Sequence, residues 1–351
     1  MPAAGPNGRN GQMLLRAAAG GAGALVTKTV SLKPARVPHP NIASTVGGGL
    51  INAERWSEIP VEQFIEKEYA LAKSTGLPLF ASIGYTAGEL AELGPRIEKT
   101  GVVDAIEFSI HYLGKSLQPV IDSAEALRDV VSLPIFAKLS PTFPDLQAIA
   151  KSLEPIVDGL IAINSFGPVL DFDIETLSPR LGSENGFGWI SGPPLKPLAL
   201  RIVYELAQNF NKPIIGVGGI SSGRDAIQFM MAGASAVQVC SAALLHGQEI
   251  YGKIAGEIEK WLDGHGYQSV QEIKGQYLRQ RGTAGSYVQH PVCLKIEKCT
   301  LCKRCLKSCI HQALHFESGQ IMVRQDNCAG CGLCTTICPT GALSIIEIDR
   351  G

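Results

Sequence analysis

Cys299-Thr300-Leu301-Cys302-Lys303-Arg304-Cys305-Leu306-Lys307-Ser308-Cys309 and Cys328-Ala329-Gly330-Cys331-Gly332-Leu333-Cys334-Thr335-Thr336-Ile337-Cys338-Pro339 are one spacing written twice, Cys-x2-Cys-x2-Cys-x3-Cys. The two runs hold eight of the ten cysteines. Thiolates at i, i+3 and i+6 wrap a short loop around one iron–sulfur cube, while the fourth lies too far along to bend back and reaches the neighbouring cube. The first 4Fe-4S cluster is therefore expected on Cys299, Cys302, Cys305 and Cys338, and the second on Cys328, Cys331, Cys334 and Cys309. Zinc also favours Cys-x2-Cys pairs, but a tetrahedral site takes four ligands and leaves no use for this doubled run.

This is the pattern of a two-cluster ferredoxin, a wire for single electrons. Ile310 stands where the second run has Pro339, which touches loop stiffness and not ligation. The tail is too short to build an adequate apolar core, so the cubes are expected to act as its staples. Its halves, 298–316 and 326–346, read as an internal repeat of cysteine run, short helix and short strand.

The remaining 290 or so residues must be what the wire feeds. At 351 residues, 45% hydrophobic and 18% charged, the chain has room for one large domain with a substantial core beside the cysteine module. A formal net charge of −1 offers no electrostatic reason to expect nucleic acid or an anionic membrane. Thiols kept for metal point to a reducing compartment, the cytoplasm. The apolar stretch Met13–Val26 is interrupted by Arg16 and is shorter than the roughly 20 residues of a membrane span. It is also a poor signal peptide.

Short apolar runs recur at 24–27, 79–83, 105–108, 135–139, 159–164, 214–217 and 236–239, separated by helix-sized stretches at 61–74, 87–99, 123–131, 145–153, 195–209 and 223–231. Uniformly apolar strands alternating with helices indicate a parallel sheet covered on its outside. Strand number and length favour the closed (β/α)8 TIM barrel over an open doubly wound sheet. The sequence Gly216-Val217-Gly218-Gly219-Ile220 also lacks the Gly-x-Gly-x-x-Gly spacing of a nucleotide fold. The eighth strand is sought at the start, where Met1-Pro2-Ala3-Ala4-Gly5 reads as the tail of a truncated first strand entering its loop. Two exposed edges would then make the protein fragile or dependent on homo-oligomerisation. A Gly-, Pro- and Ser-rich interruption at 165–194 is expected either at the chemical face of the barrel or as a flexible surface loop. The pattern decays over 264–291, which divides the chain into an α/β barrel, 1–285, and a small α+β ferredoxin domain, 286–351.

Several loops suit a phosphorylated flavin. Gly218-Gly219 after one late strand and Cys240-Ser241 after the next supply bare N–H groups and a hydroxyl, the requirements of a phosphate cradle. Lys138 lies inside an apolar strand and needs an anionic partner, either a carboxylate or the pyrimidine edge of a flavin. Lys28 could play a similar part.

Gly23-Ala24-Leu25-Val26-Thr27-Lys28-Thr29-Val30, Ala137-Lys138-Leu139-Ser140-Pro141, Ala162-Ile163-Asn164, Ile190-Ser191-Gly192 and Val237-Gln238-Val239-Cys240, with Ala4-Gly5 and the 216–220 run, resemble the dihydroorotate dehydrogenase superfamily. The appended cysteine module resembles one branch of it, the flavin and pyrimidine-site subunit of dihydropyrimidine dehydrogenase. The resemblance implies FMN at the mouth of the barrel. Its ring would be contacted by Ala3, Ala4, Gly5, Lys28, Thr29, Ser109, Lys138 and Asn164, and its phosphate by Gly192, Gly218, Gly219, Cys240 and Ser241. A planar substrate would meet Asn52 and Asn164, with Ser165 beside them.

The chain departs from the family on the strand-four loop. Relatives carry Asn-Leu-Ser-Cys-Pro-Asn or a close variant; here the loop reads Ser109-Ile110-His111-Tyr112-Leu113-Gly114. Tyr112 takes the place of the acid/base cysteine and Ser109 that of a flavin-contacting asparagine, which puts a pyrimidine substrate in question. A phenol with an ordinary pKa of about 10 suits proton donation, while the titration range of histidine lets His111 act in either direction. Both could equally be ordinary loop residues. Neither Cys240, expected to pack at the end of a strand, nor Cys293, in the connector, is expected to ligate. The resulting expectation is an enzyme in which electrons pass between two clusters, FMN and a C=C bond conjugated to a carbonyl in a small-molecule substrate. A soluble ferredoxin or an NAD(P)H-oxidising flavoprotein subunit would be the electron donor. A non-pyrimidine substrate and a non-catalytic electron-transfer subunit are the alternatives.

Overall fold

The computed structural model describes residues 1–111, 113–114, 116–280 and 292–345. It divides into two compact units, Met1–Arg281 and Gly282–Gly351. The boundary expected at 285 falls among residues outside that description.

The first unit is a curled, seven-stranded parallel sheet covered by helices, a TIM-barrel-like fold. Its strands are Leu25–Val26, Leu79–Ile83, Ala105–Ser109, Ile135–Leu139, Gly159–Ala162, Ile214–Val217 and Ala236–Gln238, neighbours in that order. They match the seven apolar runs to within two residues at either end. At the eighth position Pro2 makes a parallel bridge to Val239, with the Ala3 N–H donating to Val239 O at 3.0 Å.

Several of the covering helices start where a side chain satisfies a free N–H group of the first turn. Thr86 and Glu89 form a reciprocal capping box at the start of Ala87–Glu98. Asp145 and Ser222 cap Leu146–Leu153 and Gly223–Met231. The helix expected from 123 begins earlier, at Gln118, because Pro119 sits at a first-turn position where its missing N–H costs nothing. Leu90, Leu93, Ile97, Leu127 and Leu153 lie fully buried between helices and sheet, beside Leu79, Ile106 and Ile135 of the strands.

A second sheet is the larger departure from expectation. Ile42–Ser44, Leu50–Asn52, Phe187–Ser191 and Phe166–Leu170 pair antiparallel in that spatial order, with Asn52 opposite Trp189. The stretch 165–194 is thus ordered, not a loose surface loop, and its partner comes from a segment more than 100 residues earlier. Strands this short carry too little periodicity to be read alone, and only their pairing defines them.

In the second unit Val292–Leu294 pairs antiparallel with Leu343–Ile345, and Leu314–Glu317 forms a hairpin with Gln320–Val323. Two five-residue helices, Arg304–Ser308 and Leu333–Ile337, carry the third cysteine of each run, Cys305 and Cys334. The apolar core is small, comprising Val292, Ala313, Leu314, Ile321 and Leu343 with the buried Cys305, Cys328 and Cys334.

Candidate functional site

At the carboxyl edge of the parallel sheet lies a cavity of about 430 Å³. Lys28 and Thr29 follow the first strand, Ser109 ends the third, and Lys138 is one residue short of the end of the fourth. Asn164 follows the fifth strand, Gly218 and Gly219 the sixth, and Cys240 and Ser241 the last. All of these line the cavity, together with Ala3, Ala4, Gly5, Asn52, His111, Ser165 and Gly192. Parallel strands end on one side of the sheet, so residues distant in sequence converge.

One end of the cavity is walled by bare backbone. Gly218 and Gly219 have φ of +127° and +71°, and Gly192 has φ of +84°. A Cβ on Gly219 would stand 2.7 Å from the Gly192 carbonyl oxygen, and one on Gly218 would stand 2.6 Å from the Ala199 side chain. Only glycine meets both the conformation and the space. Ser241 donates to the Ser191 hydroxyl at 2.9 Å, keeping a hydroxyl pair at the same end. Open N–H groups and hydroxyls fit a phosphate, and the residues present thus suit a phosphorylated cofactor.

At the other end, two lysines are each held by a carboxylate. Lys138 Nζ donates to Glu107 Oε1 at 3.2 Å and to Gln238 Oε1 at 3.4 Å, and Gln238 donates to Glu107 Oε2 at 2.9 Å. Glu107 and Gln238 are fully buried. Ser82 donates to Glu107 at 3.4 Å and pairs with Thr29 at 2.9 Å, extending the network to the cavity wall. Lys28 pairs with Glu54 at 2.5 Å, and Asn41 donates to the same carboxylate. Lys138 thus has the carboxylate partner that its burial demanded, while still lining the cavity.

Glu107, Gln238, Glu54, Tyr85 and Trp189 were missed in sequence. A signal existed for Glu107, a lone carboxylate in the otherwise apolar Ala105-Ile106-Glu107-Phe108 and one strand away from the buried lysine. Nothing comparable marked the others.

His111 stacks edge-on against Trp189, ring centres 5.4 Å apart, with Nδ1 3.2 Å from the Ser140 hydroxyl. Burial, with the charge of Lys138 nearby, pushes its pKa down to about 4. Burial thus favours the neutral imidazole, which has a ring nitrogen able to accept and holds a proton less tightly than an exposed histidine. Tyr112, the other acid/base candidate, lies outside the described residues. Asn52 lines the cavity, but its amide donates to Trp189 O at 3.0 Å and accepts from Glu54 N at 3.2 Å, so it pegs the second sheet in place. The Asn164 Oδ1 accepts from Ser165 N at 2.8 Å. Burial pushes the Cys240 thiol up to about 11, so it stays protonated and packs, as expected.

In the second unit two small voids divide the cysteines. One is lined by Cys299, Cys302, Cys305 and Cys338, the other by Cys309, Cys328, Cys331 and Cys334. The fourth cysteine of each run has crossed to the other set. Among the described residues no three His, Cys, Asp or Glu side chains converge as ligands to a single metal ion.

A cysteine module with iron–sulfur spacing and an anion-suited cavity in one chain are the parts expected of an oxidoreductase. Residues 1–262 match the family described as dihydroorotate dehydrogenase, and residues 298–342 match the 4Fe-4S dicluster domain. The chain belongs to the dihydroorotate dehydrogenase family. It is 36% identical over 285 residues to the dihydroorotate dehydrogenase B (NAD(+)) catalytic subunit of Methanothermobacter thermautotrophicus, covering 78% of this chain and 92% of that protein. The same-named subunit of Pyrococcus furiosus is 36% identical over 276 residues, 75% of this chain and 89% of the relative. That of Geobacter sulfurreducens is 34% identical over 265 residues, 72% and 85% respectively. The superfamily expectation stands, while these names do not carry the narrower likeness to dihydropyrimidine dehydrogenase. No helix among the described residues is long and apolar enough to cross a membrane.

Proposed function

We propose that the first unit binds FMN, that the second holds two 4Fe-4S clusters, and that together they reduce, or reversibly oxidise, a C=C bond conjugated to a carbonyl. The observation that carries this reading is the single cavity in which a glycine-walled anion cradle, the Lys138–Glu107 network and a neutral His111 meet. Bound there, FMN would supply hydride exchange with an activated carbon and the passage from single electrons to pairs. Gly192, Gly218, Gly219, Cys240 and Ser241 would hold its phosphate, and Ala3, Ala4, Gly5, Lys28, Thr29, Ser109, Lys138 and Asn164 its ring.

Substrate handling falls to the face that carries His111, Asn164 and Ser165. The neutral imidazole, steadied by Ser140 and Trp189, can accept a proton from the carbon next to the reacting one. In the reductive direction a proton donor is required, for which Tyr112 is proposed. Single electrons would arrive through the clusters from a ferredoxin or from an NAD(P)H-oxidising flavoprotein subunit.

A conjugated acid or enone other than a pyrimidine is a second reading. It is supported by Ser109 and His111 in place of the family's residues, and by Asn52, whose amide is already tied on both its nitrogen and its oxygen to the backbone of Trp189 and Glu54. The test is anaerobic reconstitution with iron, sulfide and FMN, reduction, and reoxidation by orotate, uracil, thymine and a panel of enones. Reoxidation by a small acceptor supports catalysis. Reoxidation by a protein alone would make the chain an electron-transfer subunit, and a reconstituted protein without flavin would end the proposal.

A further inference from the structure

The two halves of the cysteine module superpose in sequence with an offset of 29, and the comparison isolates what ligation does not require. Against Lys298, Leu301, Lys303, Arg304 and Lys307 of the first half stand Asn327, Gly330, Gly332, Leu333 and Thr336 of the second. Both halves place the same cysteines around a void of the same kind. The four cations of the first half are therefore not needed to build a cluster loop.

Two of these positions also resist the residues they carry. Leu301 and Lys303 have φ of +54° and +58°, and their counterparts Gly330 and Gly332 have +68° and +78°. Glycine enters this left-handed region at little cost, whereas a side chain there is strained. The first half retains an apolar and a cationic side chain at these costly positions, on either side of the exposed Cys302. Leu301 is 43% exposed, Lys303 and Arg304 line the void of the first cysteine set, and Lys298 and Lys307 are exposed nearby in sequence. The only carboxylate in 295–307 is Glu297. Among the described residues no lysine or arginine lines the void of the second set.

We infer that the loop of Leu301, Cys302 and Lys303, with Arg304, Lys307 and Lys298 around it, is the docking surface for an acidic one-electron carrier protein, which exchanges electrons at the first cluster. The inference rests on the reading that the first cysteine set holds a cluster. Opposed charges bring the carrier to the exposed Cys302, which has Lys303 and Arg304 next to it in the chain where the likewise exposed Cys331 has Gly332 and Leu333, and Leu301 supplies the small dry contact at the centre. One electron leaves the reduced carrier and one enters the cluster, with no bond made and no proton moved.

The test uses the reconstituted full chain and a reduced two-iron ferredoxin of strongly negative net charge, with cluster reduction followed by stopped flow. Lys303→Glu/Lys307→Glu should lower the second-order rate constant at least about tenfold at low salt and flatten its fall with ionic strength. Thr336→Glu, the charge placed at the matching position of the second half, should leave the rate within about twofold. Iron content and bleaching by dithionite should be unchanged in both. A change below twofold in the double variant, or an equal fall in Thr336→Glu, overturns the docking surface. Parent protein that binds no iron would instead overturn the cluster reading, and the docking with it.

Discussion

Replacing Glu107 by glutamine keeps the shape of a fully buried side chain and removes one charge from the centre of the TIM-barrel-like unit. In the parent, Lys138 Nζ lies 3.2 Å from Glu107 Oε1. At an effective dielectric of about 20 that attraction is worth about 5 kcal/mol before the desolvation of both groups is charged against it. The glutamine oxygen can accept from Lys138 or from Gln238 but not from both, and its NH2 then faces the other donor, so one hydrogen bond is lost together with the charge. A buried cation left without its partner costs about 3–5 kcal/mol. All three tryptophans, Trp56, Trp189 and Trp261, lie in the first unit, so their fluorescence during urea unfolding reports on this unit alone. Glu107→Gln should lower its unfolding free energy by about 3–5 kcal/mol at pH 7, and Glu107→Gln/Lys138→Met should recover most of that loss. A single variant within about 1 kcal/mol of the parent, with no coupling in the double-variant cycle, would refute the view that these two charges depend on each other.

The other expectations follow from the same cavity. His111 has a folded pKa of about 4, below the ordinary histidine value, so the unfolded chain binds the extra proton first as pH falls. Its stabilising contribution is complete above about pH 6.5 and is lost as pH falls toward 4; His111→Gln should flatten the slope of stability with pH in that window, measured by urea midpoints. Gly219→Ala forces a side chain onto φ of +71° against the Gly192 carbonyl, and should lower FMN affinity at least about tenfold in a fluorescence titration while the module keeps its iron. Tyr112→Phe should lower turnover about 10²–10⁴-fold at unchanged FMN content if the phenol donates the proton; a loss below about threefold removes it from the mechanism.

The chain itself determined the parts that rest on local chemistry. Cysteine spacing marked the ferredoxin-like module, because how far a loop can bend back is set within a dozen residues. Seven apolar runs separated by amphipathic stretches marked the parallel sheet, because a strand covered on both faces must be apolar throughout. The place of Gly218 and Gly219 just after a late strand was legible, while their left-handed backbone and their position on the cavity wall came from the fold. What only the tertiary structure decided depends on residues brought together from afar. The sheet that joins 42–52 to 166–191 leaves almost no periodic trace in either segment. Glu54 became the partner of Lys28 only through that chain path, and Asn52 became a peg for the sheet and not a free amide. The lowered pKa of His111 follows from its burial, with the charge of Lys138 nearby, and no titration range read from a residue type could have foreseen it. Spacing along the chain reveals geometry that a loop imposes on itself, whereas desolvation and charge pairing belong to the folded neighbourhood.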